Sequence, residues 1–344
     1  MKNVRLAIRL SACLQLFVLV GFAQEQQFAN IGDLKLQNGG VIRDCRVGFR
    51  TFGELNRDRS NVIVFPTWAS GTTEQLSSNI GPGKPVDSSK YFVVAIDALS
   101  NGVSSSPSNS RLQPRMQFPQ FTLRDTVESQ HELLTKTLKL DHVYAMIGIS
   151  MGGMQVFQWL VAYPDFMDKA IPIVGSPRLA PYDLLIWQAQ IDALMGNRDW
   201  NGGNYKVNPA RPLDFAFGQM LLTTPADYNR RKKREDVLKD LGNADKENLF
   251  DANDKIRQAQ AMMSLDVSRD FGGSLERAAR AVKAKVLVVV SRFDHVVTPE
   301  PATEFAALLG APLLVLESDC GHLATSCESQ RVGEAVTKFL TEAP

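Results

Sequence analysis

Short apolar runs bounded by turn residues recur towards both ends of this chain and are missing from its middle. Residues 61–65, 91–96, 142–149, 169–174, 286–290 and 312–316 are almost continuously apolar and rich in Val, Ile and Leu. Runs of that length and composition predict buried strands. Residues 28–55 alternate instead, with turn signals at Asn38, Gly39, Gly40 and Gly53, which predicts antiparallel strands ahead of the others. Leu123, Val127, Leu134 and Leu138 recur at helical spacing, and a second helix is predicted over 151–163. From about 177 to 274 the strand rhythm stops, in a segment rich in Met, Trp and charge that reads as helical. Strand and helix alternate again from Leu275 to the end. Such alternation implies an α/β protein, a mostly parallel sheet flanked by helices. The expected division is a core of residues 24–176 and 275–344, with 177–274 inserted as a helical cap over the strand tips.

Composition narrows the function classes. The chain has 344 residues, 44% hydrophobic and 22% charged, with a net charge of +1. That length is ample for a large core, and near neutrality argues against a nucleic-acid partner. The basic run at 230–234 reads as a solvated helix face rather than a polyanion site. At the N-terminus, Lys2, Arg5 and Arg9 precede an apolar run over 10–22, with Ala23 before Gln24. This is a secretory signal pattern, and the run falls short of the about 20 residues a spanning helix needs. Cys13 stands at the front of that run, whereas a lipidated cysteine would follow it. The expectation is cleavage after Ala23, a secreted or periplasmic mature protein, and no membrane contact once the signal is gone. Cys45, Cys320 and Cys327 then remain. Cys320 and Cys327 bracket His322 and are either a disulfide that steadies its loop or two separate small apolar side chains; spacing leaves both open.

The chemistry concentrates at Gly148, Ser150 and Gly152, which spell G-x-S-x-G where an apolar run gives way to a helix. This is the pattern of a nucleophile elbow, a sharp turn that lifts a serine hydroxyl above the sheet edge. A serine at neutral pH needs an adjacent base, and the base needs a third group to hold its tautomer. In this arrangement the acid and then the histidine follow the serine in the chain. Of the four histidines, His131 and His142 precede Ser150. His322 follows the last apolar run, and Asp294 follows the one before it, at a strand tip where ligands bind in open α/β sheets. His295 and Asp319 are the weaker candidates for base and acid. An oxyanion hole requires the N–H of the residue after the nucleophile, Met151, and one from the loop after an early strand, here assigned to Ala69. The loop of residues 100–107 is expected at the rim. No helical H-E-x-x-H pair is present, so neither a metal nor another cofactor is expected.

These residues resemble the homoserine O-acetyltransferases of the α/β-hydrolase superfamily, over nearly all of the mature chain. The carriers are Phe52, Gly53, Glu54, Leu55 and Asn56; Leu123, Arg124 and Asp125; Ser150 through Gln155 with Trp159; Asp199, Trp200, Asn201, Gly202 and Gly203; Phe250, Asp251, Ala252 and Asn253; and Gly321 with His322. The resemblance implies an α/β-hydrolase fold with a cap, supports Ser150, Asp294 and His322 as the triad, and makes a homodimer plausible. Family members pass an acyl group from coenzyme A through the serine to a hydroxyl acceptor. The departures point elsewhere. Leu323 stands where the family places an acceptor-binding aspartate, and cap arginines fall at Phe217 and near Ile191. Apolar residues there leave a zwitterionic acceptor without charge partners. The expected function is a serine ester hydrolase acting on a small or medium acyl ester, with its pocket lined by Trp68, Trp187, Phe215, Phe217, Met220 and Leu323. The competing readings are an acyl-CoA-dependent O-acyltransferase and a non-enzymatic binding protein on the same fold.

Overall fold

The computed structural model describes residues 25–209, 212–243 and 250–342 of the chain. Residues 1–23, read from sequence as a secretory signal, lie outside these residues. The chain begins with two antiparallel strands, β1 (Gln27–Lys35) and β2 (Val41–Phe52). The first buried run forms β3 (Val62–Pro66), followed by a short α1 (Thr73–Leu76) and β4 (Phe92–Ile96). Then come α2 (Leu123–Glu132), β5 (Val143–Ile149), α3 (Met151–Ala162) and β6 (Met167–Ile173). The middle segment carries α4 (Pro181–Met195), α5 (Pro212–Leu222), α6 (Pro225–Arg231), α7 (Arg234–Asn243) and α8 (Ala252–Met263). After α9 (Leu275–Ala281), the pieces β7 (Lys285–Val286) and β8 (Val288–Ser291) run beside β6. The chain finishes with α10 (Glu300–Leu309), β9 (Leu313–Leu316), α11 (Ala324–Cys327) and α12 (Ser329–Thr341).

The strands form one sheet in the order β1-β2-β4-β3-β5-β6-β8-β9, with β7 also paired to β6. Among the strands of the described residues, every pairing from β4 onwards is parallel, and the β1–β2 and β2–β4 pairs are antiparallel. The reason is in the sequence. The inner strands are buried along their whole length, as in β3, so both faces of the sheet need a covering layer. One layer packs Leu123, Val127, Val156, Phe157, Leu160 and Phe305 against one face. The other packs Leu76, Val332, Val336 and Phe339 against the opposite face, with Ile63, Phe65, Ile147 and Ile171.

Lys169 of β6 is fully buried in the second layer, an unusual place for an ammonium. Its Nζ donates to the carbonyls of Phe339 and Leu340 at 3.0 Å, to Glu342 at 2.5 Å and to the Tyr144 hydroxyl at 2.8 Å. A cation thereby meets the unpaired carbonyls at the end of α12, where the helix dipole favours positive charge. This contact pins the last helix to the sheet beneath the site.

Candidate active site

Ser150 stands between β5 and α3 with φ 57° and ψ −123°, a backbone conformation that side chains rarely adopt. The neighbouring glycines make it possible. A Cβ on Gly148 would fall 2.1 Å from the Gly152 carbonyl oxygen, and one on Gly152 would fall 2.6 Å from the Pro66 carbonyl oxygen. The turn is fixed from both ends: Ser150 N–H donates to Ile173 O at 2.9 Å, and Met154 N–H to Ser150 O at 3.0 Å.

His322 lies in a single 3₁₀ turn, Gly321–Leu323, after β9. Its Nε2 is 2.9 Å from Ser150 Oγ and its Nδ1 is 2.6 Å from Asp294 Oδ2. The second carboxylate oxygen of Asp294 accepts from the N–H groups of Val296 and Val297, at 2.8 and 3.0 Å. Asp294 therefore points from the tip of β8 with its orientation set by backbone. Burial disfavours a charged imidazole, but the charge of Asp294 and its hydrogen bond outweigh this and hold the pKa of His322 above the ordinary histidine value. A second buried carboxylate, Asp183 of α4, accepts from Thr298 N–H and Oγ1, both at 3.2 Å. Burial raises its pKa, and the nearby charge of Asp294 adds to the effect.

The remaining histidines have other roles. His131 stacks on Tyr163 with ring centres 4.0 Å apart, and His142 bridges Asp165 O and Asp168 on the surface. His295 sits beside Asp294 in sequence but is not the nitrogen that Ser150 meets. Asp319, the alternative acid, pairs with Arg230, and the carboxylate that meets His322 is Asp294.

Met151 is the first residue of α3, so its N–H has no acceptor within the helix. In the loop after β3, Thr67, Ser70 and Gly71 donate to Ile96 O, Gln258 Oε1 and Trp68 O. The N–H of Ala69 has no acceptor among the described residues, and Ala69 lines the same cavity as Ser150. That cavity, of about 820 Å³, also takes in Trp68, Trp187, His322 and Leu323.

Three expected lining residues are not part of its wall. Helix α5 presents Gly218, Leu221 and Leu222 to the cavity rather than Phe215, Phe217 and Met220. The reason is helical phase. At 100° per residue, Met220 is turned roughly 200° from Gly218 and Phe217 roughly 100°, while Phe215 lies a turn further out. Met220 is accordingly 60% exposed. Ile191 packs in the core. The loop of residues 100–107 is also absent from the wall. Its serines tie backbone together: Ser104 Oγ bridges Gly48 N–H and Asp97 O, and Ser100 Oγ donates to Asp254 O. The reading from sequence missed Phe65, Val86, Ile147, Ile173, Val332 and Val336, which line the cavity from the core side. As strand and helix residues in apolar runs, they carry no local mark that separates a cavity wall from solid core.

Cys320 and Cys327 are joined as a disulfide across the His322 turn, and Cys45 is free and buried.

Comparison with known proteins agrees with this architecture. The alpha/beta hydrolase fold family matches residues 61–325. A probable esterase of Corynebacterium glutamicum is 32% identical over 91% of this chain and 94% of its own length. An ethyl acetate hydrolase of Pseudomonas veronii is 30% identical, covering 86% and 89%. A homoserine O-acetyltransferase of Methanosalsum zhilinae is 28% identical, covering 93% and 73%. Among solved structures, an acetylester hydrolase from Corynebacterium glutamicum superposes with a TM-score of 0.87 at 29% identity, over 92% of this chain and 96% of that one. The protein belongs to the α/β-hydrolase family, and within it to the homoserine O-acetyltransferase-like proteins that include both esterases and acyltransferases.

Proposed function

We propose that this protein is a serine-dependent hydrolase of small or medium acyl esters. The observation that carries the reading is the unbroken chain from Ser150 Oγ through His322 to Asp294, opening on an 820 Å³ cavity. Ser150 attacks the ester carbonyl while His322 Nε2 takes its proton and passes it to the departing alcohol. Asp294 keeps Nδ1 protonated and stabilises the imidazolium. The N–H groups of Met151 and Ala69 hold the oxyanion. Water, deprotonated by His322, then releases the acid from the acyl-Ser150 intermediate.

The choice of water over an amino-acid acceptor is supported by charge. Lys255 is the one lysine or arginine on the cavity wall, and no carboxylate lines it among the described residues. The ammonium of a homoserine would have no ionic partner there, and Leu323 presents a methyl surface beside His322 instead. The apolar wall of Phe65, Ile147, Ile173, Val332 and Val336 suits an acyl chain longer than acetyl. We also propose export of the mature chain, which the Cys320–Cys327 bridge supports because such bonds persist in oxidising compartments.

The test is turnover of p-nitrophenyl acetate, butyrate and octanoate by the chain starting at Gln24, with and without homoserine. Expected is release that homoserine leaves unchanged and that Ser150→Ala lowers by at least about 10³-fold, in line with loss of a triad nucleophile. Accumulation of O-acylhomoserine would give the result to the transferase reading, which the homoserine O-acetyltransferase relatives favour.

A further inference from the structure

The loop carrying His322 is held from two sides. On the core side, Ser291 Oγ donates to Gly321 O at 2.7 Å. On the cap side, the junction between α5 and α6 lies directly against the loop. Gly321 has φ +65°, and a Cβ there would come 3.0 Å from Thr223 Cα. Thr224 Oγ1 donates to Asp319 O at 2.6 Å. Arg230 of α6 then closes the junction with a two-pronged contact, Nη1 and Nη2 on the two Asp319 oxygens at 2.8 and 2.7 Å. The same guanidinium reaches buried Asp227 at 3.1 Å, to which Thr223 Oγ1 and Arg231 also donate. Leu222, at the end of α5 beside Thr223, is cavity wall, and His322 is three residues beyond Asp319.

We propose that Arg230 and Asp319 are positioning residues for the hydrolysis argued above: their ion pair latches the cap wall at Leu221 and Leu222 to the His322 turn, so that seating of the cap sets the imidazole against Ser150. The inference rests on that hydrolase reading. Neither residue meets the substrate; both act through the backbone of the loop. The pair is well exposed, Arg230 57% and Asp319 40%, so it contributes little to global stability and is open to screening by salt. What it supplies is direction, because a planar guanidinium on both carboxylate oxygens fixes orientation as well as distance. Arg230 also holds the Asp319 carboxyl below the usual carboxylate range, so the latch keeps its charge throughout the titration of His322.

The test compares wild type with Asp319→Asn, Arg230→Gln, their double variant, Asp319→Glu and a Ser150→Ala control, using p-nitrophenyl butyrate. kcat, KM and melting temperature are measured at low ionic strength and in about 1 M NaCl, where the screening length falls to about 3 Å. Each single neutralisation should lower kcat about tenfold, equivalent to ~1.4 kcal/mol, with little change in melting temperature. The double variant should be no worse than either single one, as expected for partners in one contact. Salt should bring wild type towards the variants and leave the variants unmoved, and Asp319→Glu should recover part of the rate. Folded variants with wild-type kcat, additive losses, or activity that falls only in step with melting temperature would each overturn the latch. Turnover that survives Ser150→Ala would instead overturn the hydrolase reading beneath it.

Discussion

A single proton position governs the chemistry proposed for His322. The imidazole must be neutral to take the Ser150 proton, and its pKa stands above the ordinary value because Asp294 outweighs burial. kcat/KM should therefore rise with pH through a midpoint above about 6.5, the unperturbed histidine value. In Asp294→Asn the raising cause is gone and burial remains, so the midpoint should move below that of wild type while kcat drops by about 10³–10⁴-fold. A pH profile of both enzymes checks the pair of expectations; a midpoint that rises or stays put in the variant would separate Asp294 from the titration. These residues were legible in the sequence for a physical reason. The elbow needs small residues at 148 and 152, and the acid and base must follow strand ends, so apolar runs locate them. The partner of Asp319 was not legible, because Arg230 lies 89 residues away and reads locally as part of a solvated basic face. In the fold, Arg230, Arg231 and Lys232 of that run are all paired with aspartates.

At the scale of elements, α8 is also tied to the loop of residues 100–108. Asp254 of α8 is buried and accepts from Ser108 N–H at 2.9 Å and Ser108 Oγ at 2.5 Å, while Ser100 Oγ donates to its carbonyl. Burial, with Asp251 adding, pushes its pKa up to about 8, from 3.8. An acid whose pKa is raised by folding binds its proton more tightly in the folded state. Its contribution to stability is complete below about pH 4 and is lost as the pH rises towards 8. Asparagine keeps the shape and hydrogen-bonding capacity of the neutral acid, so Asp254→Asn should match wild type near pH 4 and exceed it at pH 8 by at least ~1 kcal/mol, about the worth of one pKa unit. Melting temperatures at the two pH values decide; equal slopes for both proteins would show that Asp254 does not titrate in this range. Sequence predicted the cap as helical but not which of its faces meets the site. Phe217 and Met220 and the wall residues Gly218 and Leu221 share one helix, and only tertiary contact sets its rotation.

For the whole molecule, the open matter is the compartment in which this fold works, and two separate parts of the chain bear on it. The sequence signal over residues 1–23 predicts export, and the bridge between Cys320 and Cys327 sits where a reduced thiol pair would loosen the His322 turn. A crosslink over so short a loop contributes ~2–3 kcal/mol by chain entropy, so its loss should lower the melting temperature, and in the folded state it also frees the turn that carries His322. Cys45 does not compete in this chemistry. Burial pushes its thiol up to about 12, which leaves almost no thiolate at neutral pH to attack the bridge. Intact mass of the protein recovered from separated cytoplasmic and extracytoplasmic fractions tests both parts at once. The expected product starts at Gln24 and is lighter by two hydrogen atoms than its fully reduced form, with Cys45 alone reacting with a thiol reagent after denaturation. Mild reduction should then lower ester turnover well below any temperature at which the protein unfolds, and reoxidation should restore it. A full-length chain with four reactive thiols and full activity would place the enzyme in a reducing compartment and return the acyl-CoA-dependent reading to first place.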